Sequence, residues 1–245
     1  MKYSMFRLLA AALSILAIAL LAGSALAQGN SHGGGNSNGE AQWHLGQVDK
    51  MIPADGAKHD WFGWSIALHG GTAIVGAPRD DDNGIDSGSA YLFDVNLIRQ
   101  TGKLLPQDGA AGDYFGRCVA VSGTHVIVGS HGDDDNGDQS GSAYLFEIRT
   151  GKQTTKLVPS DGAAGDHFGL SVGISGNIAI VGAPHDDNSD GSTGSAYLFD
   201  TFTGKQIAKL CPGDGGLHDG FGRCVAISGT TAIVGAPGHD ANGIS

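Results

Sequence analysis

Positive charge is scarce in this chain of 245 residues. Lys and Arg number 14 against 25 Asp and Glu, a formal charge of −11 at pH 7. That balance argues against nucleic acid or anionic lipid as a partner. Charged residues of both signs make up only 16% and aromatics 7%, whereas Gly reaches 42 residues. Short strands joined by glycine turns fit such a composition better than long helices do. Catalytic signatures are missing too. The sequence has no G-x-S-x-G elbow, no phosphate-cradling loop, no H-E-x-x-H helix and no Cys-His pairing. Beyond residue 27 no apolar run approaches the length of a membrane span.

The one long apolar stretch is at the start. Lys2 and Arg7 precede "LLAAALSILAIALL" (8–21), and "ALA" ends at Ala27. This is the pattern of a secretory signal peptide, residues 1–27, with cleavage expected after Ala27. Left uncleaved, 8–27 is just long enough to cross a bilayer. Cleavage removes two cations and no acids, so the charge goes from −11 to −13. The expected location is secreted, cell-surface or periplasmic, with no membrane insertion after cleavage. Residues 28–46 are rich in Gly, Ser and Asn and read as a linker.

From residue 47 to 245 the chain repeats. "FG" occurs at 62, 115, 168 and 221, and "VGAP" at 75, 181 and 234 with "VGSH" at 128. "GSAYLF" ends at Phe93, Phe146 and Phe199, and Lys50, Lys103, Lys156 and Lys209 each open a K-(apolar)-(apolar or Cys)-P stretch. Every spacing is 53 residues. Each unit reads as four short strands. In the second these are 115–122, 125–130, 142–148 and 154–159, with turns at Ser122-Gly123 and Thr150-Gly151-Lys152. In the third strand Ala143 and Leu145 alternate with Tyr144 and Phe146. A strand apolar on both faces is one covered on both sides. Small sheets stacked on copies of themselves make a propeller. The expected fold is therefore all-β: a β-propeller of four-stranded antiparallel blades, three complete and a fourth incomplete. The phenylalanine of each FG would fill the gap between blades, and its glycine would relieve backbone crowding near the axis. Residues 50–53 would be an outer-strand equivalent. Open blade edges would favour self-association.

Cys118 and Cys224 hold the same place in units two apart, while Cys211 lies in another strand type. A disulfide needs Cα atoms within about 7 Å. Free and mostly buried thiols are expected.

"FGWSIALHGGTAIVGAP" (62–78) and "FGLSVGISGNIAIVGAP" (168–184) resemble FG-GAP repeats. These build the β-propeller of integrin alpha subunits and of many bacterial secreted or surface proteins. The resemblance implies a calcium loop of the D-x-D-x-D-G type between FG and GAP. Here that interval is a short turn without carboxylates, as at 175–177, and the acids fall after GAP instead. In that displaced loop Asp186, Asn188 and Asp190 precede Gly191, Asp134, Asn136 and Asp138 keep the alternation, and Asp80, Asp82 and Asp86 flank Gly84. Alternating oxygens with a glycine bend suit a hard cation, so Ca2+ is one reading of these nine residues. Plain turn chemistry is the other, since Asp, Asn and Gly favour turns without any ion.

His131, His185 and His239 end GAP-like segments and would share one propeller face. They could hold a metal or substrate, but no two lie at ligand spacing within one loop. Most polar positions recur in every unit, so an enzyme is not expected. The reading is an exported, non-catalytic propeller that binds an extracellular protein or glycan, as in adhesion. Alternatives are a structural spacer, a remnant of a longer propeller, or the accessory propeller of a secreted hydrolase.

Overall fold

The computed structural model describes residues 49–188 and 191–239. The expected signal peptide, and the linker apart from its boundary with the repeats, lie outside them. By internal contacts the chain divides at residue 52, and residues 53 onward form the repeat unit described below.

Strands follow the repeat. The first sheet holds β1 (Ser65–His69), β2 (Thr72–Ala77), β3 (Ser89–Asp94) and β4 (Arg99–Leu104). The second holds β5 (Cys118–Ser122), β6 (His125–Ser130), β7 (Ser142–Glu147) and β8 (Gln153–Leu157). The third holds β9 (Ser171–Ser175), β10 (Ile178–Ala183), β13 (Ser195–Asp200) and β14 (Gln206–Leu210). Its β10–β13 loop carries a two-residue ladder, β11 (Asp187–Asn188) with β12 (Gly191–Ser192). The fourth unit contributes β15 (Cys224–Ser228) and β16 (Thr231–Gly235). All pairings are antiparallel and each four-stranded sheet is a simple meander. The first strands lie side by side, β1 against β5, β5 against β9, and β9 against β15. The architecture is all-β, a stack of blades forming an open partial propeller.

The alternation inside each third strand divides the core. Tyr144 and Phe146 join Ala90, Leu92, Leu104 and Phe115 in the seam between the first two sheets. Ala143 and Leu145 face the other way and join Phe168, Val172, Tyr197 and Phe199 in the next seam. Period-two alternation thus sends neighbouring side chains of β7 into separate cores. Phe115 and Phe168 are fully buried and meet Tyr144, Phe146, Tyr197 and Phe199 edge-on at 5.6–5.8 Å. Edge-to-face contact is the favoured aromatic geometry. Phe62 and Phe221 are only half-buried. Among the described residues Phe62 has no sheet in front of it and the fourth unit has no third strand.

The FG glycines work at the seam itself. Gly63, Gly116, Gly169 and Gly222 have φ of 89–95°, and each N–H donates to the GAP-segment glycine carbonyl of its own unit. A Cβ on Gly116 would strike the Ser89 carbonyl of the preceding sheet, and one on Gly129 the Gly169 carbonyl of the following sheet. Because Phe115 and Gly116 serve the seam, with Phe115 bridging Gly88 in parallel, β5 starts at Cys118 and not at 115 as the sequence suggested.

Two further expectations are corrected. Residues 49–53 form no strand, whereas their counterparts ending β4, β8 and β14 pair with the third strand of their sheet. No disulfide joins Cys118, Cys211 and Cys224, as expected, but only Cys118 is sheltered; Cys211, whose Sγ lies 3.6 Å from Ser195 Oγ, and Cys224 are exposed. Cys211 follows the last residue of an outer strand, and Cys224 belongs to a two-stranded sheet. Ile66, Leu68 and Ile233 are likewise 39%, 64% and 53% exposed on the outermost units.

Candidate functional site

Antiparallel pairing puts the start of each first strand, the end of the second and the start of the third at one end of the stack. The acidic loops and the segments before FG meet there. Gly112, Tyr114 and Phe115 donate backbone bonds to Ile85, Asp86 and Ser87 of the preceding unit's loop. Gly165, His167 and Phe168 do the same to Asp138, Gln139 and Ser140.

Within this end each acidic loop closes around a lysine. Lys156 Nζ lies 2.7 Å from Asp108, 2.9 Å from Asp133 and 2.5 Å from Asp135. Lys103 repeats this with Asp55, Asp80 and Asp82 at 2.8, 3.0 and 2.7 Å, and Lys209 with Asp161 and Asp186 at 2.7 and 3.0 Å. The third-strand tyrosines complete the clusters. The Tyr91 and Tyr144 hydroxyls donate to Asp80 at 2.7 Å and Asp133 at 2.6 Å, and that of Tyr197 donates to Asp186. Burial alone would lower the Lys156 pKa, but its bonds to Asp108, Asp135 and Asp133 outweigh this and raise it; Lys103 behaves likewise. Burial would raise the Asp80 carboxyl, yet Tyr91, Lys103 and Ser89 hold it below the ordinary range.

Among the described residues, Asp108, Asp133 and Asp135 are the single group of three ligand atoms within 4.8 Å of one another. An ammonium already sits among them, so the set fits a lysine and not a divalent cation beside it. The nine residues singled out from sequence are divided by the structure. Asp80, Asp82 and Asp186 belong to the lysine clusters. Asp86 lies 3.7 Å from Arg79 and takes φ of 56°. Asp134 accepts from the Gln139 amide at 2.8 Å, the Asn136 amide donates to Ser140 Oγ at 3.1 Å, and the Asp138 carbonyl accepts from Gly165. Those three make turns. Asp190 and the side chain of Asn188 lie outside the described residues. The frame 134-136-138 is one residue out of step with 186-188-190; the repeat equivalents of Asp186 and Asn188 are Asp133 and Asp135. Sequence reasoning missed Asp133, Asp135, the partner Asp55, Asp108 and Asp161, and the roles of lysine and tyrosine. All share the 53-residue period, a signal that was present.

A second carboxylate set supports the loops from below. Asp113 accepts the Ala110 amide and Asp166 the Ala163 amide, each at 2.7 Å, and both side chains are buried. Burial, reinforced by the nearby charges of Asp133 and Asp134, or of Asp186 and Asp187, pushes each up to about 6. A carboxyl raised in the fold favours the protonated native state, so its stabilisation is present below the unfolded value near 4 and is lost as pH rises towards 6. Asp80, Asp108 and Asp161 are lowered, and their contribution is lost only below that unfolded value. Between about pH 4 and 6 these two carboxyls therefore pull the melting temperature down as pH rises, while His131, His167 and His185, lowered in the fold, pull it up. The double variant Asp113→Asn with Asp166→Asn should remove the downward contribution, so that its melting temperature climbs relative to that of the native protein across this window in a thermal melt series; an unchanged difference would refute the assignment.

Other residues at this end of the stack bring a different chemistry. Trp61 and Trp64 stack at 4.7 Å, with Arg79 3.8 Å from the Trp61 ring centre and Arg117 4.6 Å from that of Trp64. Tyr114 stacks on His131 at 5.4 Å, His131 meets His167 at 5.7 Å, and His167 meets His185 at 4.8 Å. Arg117 and Arg223 immediately precede β5 and β15, strands that both pack on β9. The sequence suggested a His131, His185 and His239 set. The structure joins His131 and His185 through His167 and sends His239 to Asp219 at 2.8 Å.

Repeated small sheets with glycine seams and buried FG phenylalanines define a blade-repeat protein. The FG-GAP repeat profile matches residues 45–93, 98–146, 152–199 and 205–245, and the chain belongs to the FG-GAP repeat family. Comparison with curated proteins gave no match.

Proposed function

We propose that the protein is an exported, non-catalytic binding module that recognises an extracellular protein or glycan through the loop-bearing end of the stack. One observation carries this reading: the loops of successive units are bonded to one another there, and they hold an aromatic and cationic patch drawn from several units. Binding residues on loops fixed by a rigid scaffold are the usual arrangement for recognition. The lysine clusters stiffen the loops from within, the task the sequence assigned to calcium. A glycan array combined with pull-down from extracellular material tests it. Saturable capture that fails after substitution of Trp64 and His185 is the expected result. No saturable capture would favour a structural spacer, and capture indifferent to both substitutions would refute this surface as the binding site.

A further inference from the structure

Three features of the central patch remain unexplained by folding. First, among the described residues neither the Arg117 nor the Arg223 guanidinium has a hydrogen bond or ion pair with a carboxylate, although acids outnumber cations 25 to 14 in the chain. The acids of the neighbouring loops have other partners: Asp80, Asp82, Asp133, Asp135 and Asp186 meet lysines, and Asp81 and Asp134 accept backbone amides. Second, Trp61, Tyr114 and His167 occupy equivalent places with φ of 56°, 54° and 53°, where the fourth unit has Gly220 at 65°. Bulky residues in the left-handed region are outliers, and such outliers gather at binding sites. Third, the histidines sense an uncompensated positive field. Burial, then Arg117, His167 and Arg223, push His131 down to about 4. Burial first, with His185 and Arg223 adding and Asp138 opposing, lowers His167; burial, Arg223 and His218 lower His185.

The complement of such a patch is an anion. Its size is limited by the chain's excess of acids, 25 against 14 cations, and by the exposed loop aspartates Asp81, Asp82, Asp134 and Asp135, which would repel an extended polyanion. A single oxyanion on a largely neutral body meets both conditions. Guanidinium forks match carboxylate and sulfate geometry, and aromatic edges suit the C–H faces of a sugar ring. We infer that the patch between Arg117 and Arg223, flanked by Trp64, His131, His167 and His185, binds an acidic sugar residue through its carboxylate or sulfate group. This rests on the binding-module reading and names its ligand class.

Isothermal titration tests it with trigalacturonate, a sulfated trisaccharide, neutral maltotriose, sodium sulfate and an oligoglutamate peptide. Saturable heat is expected with one or both acidic sugars and none with maltotriose, and the two acidic arms separate carboxylate from sulfate as the source. Competition by sulfate would support the oxyanion contact. Arg223→Gln, at an exposed position, and Arg117→Gln should each weaken binding at least about tenfold. The melting temperature of Arg223→Gln should stay unchanged. Equal binding of maltotriose, tighter binding of oligoglutamate, or indifference to both arginine variants would overturn the inference. A neutral glycan or protein captured equally well by both variants would also overturn it, while leaving the binding-module reading intact.

Discussion

Gly129→Ala should lower stability by about 3 kcal/mol, at the upper end of overpacking costs. Its repeat counterpart Gly235→Ala should be close to neutral. Both glycines are in the same sequence context, VG at the end of a second strand, and neither has a positive φ. The difference is purely what lies beyond them. A Cβ on Gly129 would drive into the Gly169 carbonyl, with Val172 at 3.3 Å, and both atoms belong to the next sheet. Among the described residues nothing but Cys224 at 3.6 Å, an ordinary contact, faces Gly235. Backbone cannot swing aside as a side chain can, so the third sheet must tilt and open the seam filled by Phe168. For a domain of this size the loss is on the order of 10 °C in melting temperature. Gly123→Ala provides the third comparison. Gly123 has φ of 58° with open space around it, so only about 1 kcal/mol of left-handed strain is expected. Chemical denaturation of the three variants reads the result directly. Equal effects at Gly129 and Gly235 would mean that the sheets do not abut as described.

Lys156→Met should have the next largest effect, about 2–3 kcal/mol at neutral pH. Breaking a buried pair costs about 3–5 kcal/mol when a lone charge remains. Asp133 fits that case, with its side chain 4% exposed, but Asp108 and Asp135 are 43% and 58% exposed and recover hydration. Hence the reduced figure. Adding Asp133→Asn should restore much of the loss, since the uncompensated charge then disappears. Lys152→Met, at an exposed site, should do little. Millimolar calcium should leave the melt of the native protein unmoved and raise that of Lys156→Met, whose three carboxylates are then free to share an ion. A clear calcium shift in the native protein would show that the ammonium yields its place.

The blade pattern was legible because its cues are steric and local. FG, GAP and GSAYLF mark positions where a side chain is forbidden, a donor is missing or both faces are covered, and these constraints repeat every 53 residues. The cation clusters were half legible. Aspartates at alternate positions announce a cation without saying which, and the lysine that answers lies 21 or 23 residues downstream on another strand. A one-residue error in frame also exchanges Asp133 and Asp135 for Asp134 and Asn136, turning inward oxygens into turn makers. The central patch was not legible. Its members are Trp, Tyr, His and Gly at one repeat position and Trp, Arg, Leu and Arg at another, so comparison of units averages them away. Only their convergence at the ends of separate sheets reveals them.

Each seam in the stack joins units that are consecutive along the chain. A newly emerged stretch therefore needs no distant partner to bury its aromatic ring; the sheet just completed is waiting. Assembly can advance in one direction as the polypeptide leaves a ribosome, each module templating its successor. The leading module alone must hold together before any neighbour arrives.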